Sequence, residues 1–131
     1  RLMMRGGAGI VTDGGFRDSA NIAELDIPAY HARPSSPTNL TLHEAIDINV
    51  PIGCGDVAVF PGDYMVGDND SVIVIPAERV VEVADEAYEM TAYEDFVAEQ
   101  VRAGVSIIGL YPCTKDEHRT TFADWRQKNK R

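Results

Sequence analysis

The sequence predicts an α/β (α+β) fold, in which short strands first alternate with a helix and a long helix comes later. Three observations predict it. Strand-forming residues, a glycine turn and a helix-forming stretch follow one another between Gly9 and Leu25. Three or four β-rich segments, separated by turns rich in glycine and proline, lie between Asp47 and Ile75. Beyond Pro76, apolar residues recur at helical spacing.

Residues 9–19 predict a corner in which a strand turns into a helix. Ile10 to Thr12 are β-formers, and Gly14-Gly15 permits backbone conformations that other residues avoid. Asp18 or Ser19 is suited to cap the short helix that follows. A second strand after this helix would make a parallel strand-helix-strand unit. Parallel-sheet sites gather at such corners.

The polar residues of this corner suit an anion and a metal ion. Backbone N–H groups, including those of Gly14 and Gly15, and the positive end of a helix favour a bound carboxylate or phosphate. Arg17 could grip a carboxylate through two hydrogen bonds. Asp18 offers oxygen ligands to a hard cation such as Mg²⁺. A capped helix with a weak surface ion pair is the alternative for the same residues.

The later elements follow from turn residues and from hydrophobic pattern. Pro28 to Ala32 should form the second parallel strand, and a loop rich in proline and serine should occupy 33–45. Val72 to Ile75 is apolar throughout, which predicts a strand buried on both faces. The long helix should run from about Ala77 to Ala103, either continuously or with a break near Thr91.

The last part of the chain is predicted as an extended piece followed by a tail helix. Residues 105–111 are mostly apolar and precede Pro112. From Thr114 the pattern is helical, with Phe122 and Trp125 on one side, so we expect these rings to dock on the body or on a neighbouring subunit. Acidic residues dominate 78–101 and basic residues dominate the tail, so the two should attract each other, within or between subunits.

Composition restricts the classes of function. A chain of 131 residues with 44% hydrophobic residues can form one domain with a core. A net charge of −9 argues against direct nucleic-acid binding, and no apolar run is long enough to span a membrane. Cys54 and Cys113 lack metal-ligand spacing and fit a reducing compartment, so we expect a cytoplasmic protein. The chain starts at Arg1 inside an apolar-basic stretch, which favours the C-terminal part of a longer polypeptide.

Other groups with catalytic potential give weaker signals. His31, His43 and His118 form no zinc motif, although His31 follows the strand that should neighbour the first one. Asp68-Asn69-Asp70 predicts a hairpin turn rather than a calcium loop. Cys54 has no basic neighbour in sequence and is interpreted as a small buried hydrophobe.

Three motifs in order carry a family resemblance: residues 9–19, 49–63 and 67–76. They resemble the regulator of ribonuclease activity A (RraA-like) family, which includes 4-hydroxy-4-methyl-2-oxoglutarate aldolases and was formerly mislabelled as demethylmenaquinone methyltransferase. The resemblance implies a β/β/α swivelling-domain fold. It makes 1–113 the C-terminal portion of a single domain and 114–131 a tail helix.

The resemblance also implies a function. Family members cleave a C–C bond of a 2-oxo acid to give pyruvate, as aldolases or decarboxylases that use Mg²⁺ or another divalent cation such as Mn²⁺. They assemble as homotrimers or hexamers with sites between subunits. In this family the arginine that matches Arg17 binds the pyruvyl carboxylate and stabilises the enolate, and the aspartate that matches Asp18 helps to hold the metal.

Parts of the family pattern fall outside this sequence. A further aspartate and a substrate-binding glycine loop would precede Arg1, so an N-terminal part of the same polypeptide is an expected partner. Glu89 or Glu94 could be the acidic residue that the family draws from a neighbouring subunit. The alternative function is a non-catalytic regulator of a ribonuclease, which would use the acidic helix to engage basic regions of that enzyme.

Overall fold

A computed structural model describes residues 1–38 and 44–131 of the chain. These residues form two compact units, Arg1–Ala77 and Glu78–Arg131. The first unit contains a 3₁₀ turn (Met3–Arg5), the strands and one short α-helix, and the second is helical. The predicted mixture of strands and helices is therefore confirmed.

The first unit begins with two parallel pairs of very short strands. The elements in chain order are β1 (Ile10–Val11), β2 (Gly15–Phe16), α1 (Ser19–Ala23), β3 (Ala29–Tyr30) and β4 (Arg33–Pro34). β1 pairs with β3 and β2 pairs with β4. The parallel strand-helix-strand unit is confirmed. The loop predicted from residue 33 is wrong at its start, because Arg33 and Pro34 lie in register with Gly15 and Phe16.

Two antiparallel hairpins complete this unit: β5 (Ile52–Cys54) with β6 (Val57–Val59), and β7 (Tyr64–Gly67) with β8 (Val72–Ile75). β5 begins later than the predicted Asp47, since Asn49 has a φ of 60° and Pro51 has no N–H to donate. The first turn lies at Gly55 and Asp56, both with positive φ, as a two-residue hairpin loop requires.

β8 differs from its prediction in burial. Ile75 is buried, whereas Ile73 keeps 52% of its surface exposed. The apolar run suggested a strand covered on both faces. Ile73 and Ile75 lie on the same face of the strand, so the difference follows position along β8 and not its two faces. Among the described residues β8 pairs with β7 in a two-stranded hairpin, which leaves much of both faces uncovered.

The second unit is built on two helices. A 3₁₀ turn (Ala77–Arg79) leads into α2 (Val80–Arg102), which runs through Thr91 without a break, and α3 (Asp116–Asn129) is the tail helix. The extended piece predicted at 105–111 is wrong. Its backbone forms turns, in which the Ile107 carbonyl accepts the N–H groups of both Leu110 and Tyr111.

An aromatic core joins α2 to α3. Phe96 and Leu110 are fully buried, and Tyr93, Phe122 and Trp125 pack against them. The ring centroids of Phe96 lie 5.5 Å from Phe122 and 5.9 Å from Trp125, distances typical of favourable aromatic pairs. The two tail aromatics thus contact a helix of their own chain.

Oppositely charged side chains support the same contact. The Arg126 guanidinium binds both carboxylate oxygens of Glu89, and Arg131 pairs with Asp95. The indole N–H of Trp125 donates to Glu99. Attraction between the acidic helix and the basic tail is therefore realised within one chain. No helix formed by the described residues has the length and apolar character needed to cross a membrane.

Candidate functional site

The predicted corner is held by backbone contacts along β1, β2 and their partners. The Gly14 N–H donates to the Thr12 hydroxyl at 3.0 Å, and the Gly14 carbonyl accepts the Ala32 N–H at 2.9 Å. The Phe16 carbonyl accepts the Ser35 N–H at 2.8 Å. These hydrogen bonds fix the segment between β1 and α1 to the segment after β3. They therefore determine how the backbone continues from β2 into residues 17 and 18.

Gly15 is required here for space rather than for an unusual backbone angle. The glycines of this chain with positive φ are at other positions, so the backbone freedom that Gly14-Gly15 permits is not used for a left-handed conformation here. A Cβ on Gly15 would lie 2.5 Å from the Ser35 Cβ and 3.0 Å from the Arg33 carbonyl oxygen. Only glycine lets β2 approach β4 this closely.

Arg17 and Asp18 stand side by side at the end of β2. The Arg17 Nε lies 3.5 Å from the Asp18 Oδ2, and the side chains are 55% and 65% exposed. Asp18 has a φ of 58°, and its carboxylate makes no capping hydrogen bond to α1. Asp18 thus occupies the predicted N-cap position of α1, while its carboxylate oxygens remain accessible to a cation. A helix as short as α1 adds little positive potential of its own.

His31 is linked to the same corner through Phe16. The two rings stack with centroids 4.8 Å apart. The His31 Nδ1 is buried and has no hydrogen-bond partner among the described residues. His31 also lines a cavity of about 660 Å³ with Thr12 and Asp13, whose carboxylate accepts the Gly55 N–H at 3.2 Å. Residues 17 and 18 do not line this cavity.

The other predicted groups have ordinary structural contacts. The Asp68 carboxylate accepts the N–H groups of Asp70 and Ser71, which closes the β7–β8 turn. This confirms the predicted hairpin turn. These hydrogen bonds lower the pKa of Asp68, and the one from Asp70 has the larger effect. Both cysteines are free thiols, and the His118 Nε2 lies 3.8 Å from Glu117. His43 lies outside the described residues.

The two acids proposed from the long helix differ in availability. The Glu89 carboxylate is held by Arg126, whose hydrogen bonds lower the Glu89 pKa. Glu94 accepts one hydrogen bond, from the Tyr111 hydroxyl at 3.1 Å, and this raises the pKa of Tyr111. Glu94 therefore retains more free oxygen ligands than Glu89.

A metal ion would find one well-placed ligand in the corner. Within residues 1–38 and 44–131, no group of three or more His, Cys, Asp or Glu side chains is arranged to hold a metal. The Asp18 carboxylate nevertheless suits Mg²⁺, which commonly binds through one or two carboxylates and keeps several waters. The corner could therefore supply one carboxylate ligand of a metal site, and the remaining ligands would have to come from groups outside the corner.

Comparison with known proteins places these elements in a family. The profile of the RraA-like family, described as Aldolase/RraA, matches residues 1–74, which include the whole corner. This chain belongs to the RraA-like family. Two solved structures share the fold of this chain. A protein from Pseudomonas syringae pv. tomato has a TM-score of 0.78 at 22% identity, with 84% of this chain and 55% of that chain covered.

The second structure is nearer in sequence. It is an unusual Streptomyces coelicolor member of the RNase ES inhibitor RraA protein family, with a TM-score of 0.61 and 31% identity. The alignment covers 76% of this chain and 50% of that chain. The recognition of an RraA-like protein from its motifs is confirmed.

Two relatives come from curated sequences. An uncharacterized protein of Methanocaldococcus jannaschii is 34% identical over 103 residues, which is 77% of this chain and 48% of the relative. A Halalkalibacterium halodurans protein, provisionally named 4-hydroxy-4-methyl-2-oxoglutarate aldolase, is 34% identical over 104 residues, or 79% of this chain and 49% of the relative. The RraA-like chain thus spans about half the length of the curated relatives it matches.

The sequence predicted the corner between β1 and α1 but not the contacts that stabilise it. It did not predict the pairing of β2 with β4 or the stacking of Phe16 on His31. The sequence signal for the first was weak, because Arg33-Pro34 lies in a segment rich in proline and serine. Contacts of this kind depend on the path of the chain between elements.

Proposed function

We propose that this protein is a divalent-metal-dependent lyase, an aldolase or decarboxylase, that cleaves a C–C bond of a 2-oxo acid to give pyruvate. The observation that carries the proposal is the exposed Arg17–Asp18 pair at the end of β2. It places a carboxylate-binding group next to a cation-binding group. Relatives provisionally named as aldolases support the same reaction class.

Arg17 has the chemistry needed to hold the substrate. Its contact with Asp18 is through Nε, and more than half of the side chain is exposed, so the guanidinium keeps donors for a carboxylate. Two parallel N–H bonds to the pyruvyl carboxylate would orient the 2-oxo group. The same positive charge stabilises the enolate that forms when the C–C bond breaks. We propose the Gly15 N–H as a further donor beside the arginine, because the Gly14 N–H is donated to the Thr12 hydroxyl.

Asp18 would hold the metal through its free carboxylate oxygens. When bound there, Mg²⁺ or Mn²⁺ would supply Lewis-acid chemistry toward the 2-oxo group of the substrate. We propose that the remaining ligands come from water, from the substrate and from an acidic residue outside this corner. In a homotrimer or hexamer that residue could be Glu94 of a neighbouring subunit, which is less engaged than Glu89. A further segment of the polypeptide is the other source.

The test is pyruvate release by the full-length protein from oxaloacetate and from 4-hydroxy-4-methyl-2-oxoglutarate. Each substrate is measured with Mg²⁺ and again with excess chelator. The proposal predicts release that depends on the metal and returns when Mg²⁺ is added back. Release that continues unchanged in chelator would contradict the metal-dependent reaction, and no release from either substrate would favour the second candidate function.

The second candidate is a protein-binding regulator of a ribonuclease. The similarity to the Streptomyces coelicolor protein, a member of the RNase ES inhibitor RraA protein family, favours it. The acidic surface for such a partner is smaller than the sequence suggested, because Arg126 and Arg131 neutralise Glu89 and Asp95. Binding to a ribonuclease that is lost at high salt, together with an absence of metal-dependent turnover, would support this role.

A further inference from the structure

Ser35 directly follows β4 and contacts the backbone at the point where β2 continues into Arg17. The two strands run parallel, with Phe16 in register with Pro34. The Ser35 N–H donates to the Phe16 carbonyl at 2.8 Å. Since that carbonyl belongs to the peptide bond between Phe16 and Arg17, the backbones of Ser35 and Arg17 lie next to each other where the chain leaves the strand pair.

The side chain of Ser35 lies over Gly15. A Cβ on Gly15 would be 2.5 Å from the Ser35 Cβ and 3.3 Å from the Ser35 Oγ. Gly15 and Arg17 are two residues apart, which is about 7 Å in an extended chain. The hydroxyl of Ser35 and the side chain of Arg17 therefore start from neighbouring positions at the same end of the strand pair.

The Ser35 hydroxyl is available to a ligand. It forms no hydrogen bond with any residue of 1–38 or 44–131. Ser35 as a whole is half-buried, but its oxygen is accessible, because within these ranges the buried side-chain polar atom without a partner is the His31 Nδ1. A free hydroxyl on a backbone that is held by a hydrogen bond is a donor already in position for a ligand.

We propose that Ser35 is a further substrate-binding residue, whose hydroxyl donates to the carboxylate that Arg17 binds. This inference rests on the proposed function. A carboxylate offers about four lone-pair sites, so two hydrogen bonds from the guanidinium leave sites for a third donor. A hydrogen bond to a charged acceptor is also stronger than one between neutral groups.

The position of Ser35 favours the carboxylate over the other acceptor in the corner, a water bound to the cation at Asp18. Ser35 contacts the peptide bond that leads into Arg17. Asp18 lies one residue farther along and occupies the N-cap position of α1. The hydroxyl therefore lies closer along the chain to the carboxylate-binding group than to the cation-binding group.

The test separates substrate binding from turnover. The substrate carboxylate keeps its charge throughout the reaction, so this hydrogen bond stabilises the bound substrate and the transition state equally. In the full-length protein, Ser35→Ala should raise the KM for oxaloacetate about 10-fold and leave kcat within about twofold. The dissociation constant of pyruvate, measured by isothermal titration calorimetry with Mg²⁺, should rise by the same factor.

Three further measurements serve as controls. Ser35→Thr keeps a hydroxyl and should restore most of the affinity for pyruvate. Ser36→Ala removes an exposed hydroxyl from the next residue and should bind pyruvate as wild type does. The Mg²⁺ concentration for half-maximal release should be the same in Ser35→Ala as in wild type. Thermal unfolding followed by circular dichroism verifies folding, and Ser35→Cys, with a weak donor of similar size, replaces Ser35→Ala if that variant does not fold.

The outcomes distinguish this inference from the proposed function. Unchanged KM and pyruvate affinity in folded Ser35→Ala would overturn the inference and leave the lyase in place. A raised Mg²⁺ requirement would assign the hydroxyl to the water on the cation and would also overturn it. Pyruvate binding that depends on Ser35, in a protein that releases no pyruvate, would support the inference and refute the lyase. A wild-type protein that neither binds nor releases pyruvate would overturn both.

Discussion

The two units of the chain differ in how much of a core each one contains. In the second unit Ala92, Phe96, Val97 and Leu110 are buried, whereas in the first unit Ile75 is the buried hydrophobic residue among those described. The first unit consists of two-stranded sheets with strands of two to four residues. Paired strands of this size are marginally stable by themselves.

The proposed chemistry lies in the unit with the smaller core, whereas the larger core belongs to the other unit. The helical unit is stabilised by aromatic packing and ion pairs within itself. The corner with Arg17 and Asp18 belongs to the unit with little core. Catalytic groups must be held within a fraction of an ångström. We therefore expect the first unit to gain stability from association with further polypeptide.

The largest expected effect on stability is in the helical core. Phe96→Ala should lower the free energy of unfolding of the second unit by about 3–5 kcal/mol, because it removes a fully buried ring and leaves a cavity. The measurement is denaturant unfolding followed by Trp125 fluorescence. Ile73→Ala in the first unit, at a half-exposed position, should cost less than about 1 kcal/mol by circular dichroism. Equal costs would contradict the contrast between the units.

The next effect is on activity. Arg17→Ala in the full-length protein should reduce the rate of pyruvate release by about 10²–10³, since the arginine acts on charge that develops in the transition state. Trp125 fluorescence should not change. Arg79→Ala is the matched control: it removes an exposed arginine that pairs with Glu82 at 2.8 Å in the other unit. Unchanged turnover in Arg17→Ala would exclude the proposed role.

A smaller effect is expected where β2 meets β4. Gly15→Ala should cost about 1–3 kcal/mol through the clash with Ser35, with reduced turnover because residues 17 and 18 shift. Thermal unfolding and the pyruvate assay measure the two effects. Ser35→Gly in the same chain should relieve part of the loss. Gly53→Ala, where a Cβ meets no atom within 4 Å, should be close to neutral, and an equal loss there would refute the steric account.

The smallest effect is the pH dependence of the tail contact. Arg126 lowers the pKa of Glu89 below its ordinary 4.5, so the pair stabilises the folded state above that pH and the contribution disappears as the pH falls through the lowered value. The melting temperature of Glu89→Gln should therefore be slightly lower than that of wild type at pH 7. In strong acid the two melting temperatures should be equal. Glu86→Gln, on the same helix without an ion pair to described residues, should match wild type at both pH values.

Local sequence pattern predicted those parts of the fold that local interactions determine. The hairpin β7–β8 follows from its polar turn, α2 from Pro76 and its apolar spacing, and the strand-helix-strand unit from Gly9 to Ala32. The errors lie at Arg33-Pro34, at Ile73 and in residues 105–111. In each, pairing partners or tertiary packing decided the outcome, and neither can be deduced from neighbouring residues.

For the candidate site, the sequence identified which residues could act but not how they are positioned. The proximity of Arg17 and Asp18 follows from their being adjacent in sequence. The close approach of Gly15 to Ser35 arises from the pairing of β2 with β4, and the left-handed backbone of Asp18 is a further feature that the sequence pattern did not predict. Asp18 occupies the predicted N-cap position of α1, but its side chain makes no hydrogen bond to the helix, a detail that residue type alone does not determine.

The central claim is that Asp18 holds a divalent ion next to a carboxylate-binding Arg17. The most direct measurement is the Mg²⁺ concentration that gives half-maximal pyruvate release, in full-length wild type and in Asp18→Asn, which preserves size and removes the charge. Asp18→Asn should raise that concentration by at least about 10-fold, because a ligand carboxylate is lost. The same Mg²⁺ dependence and the same rate in both proteins would contradict the claim.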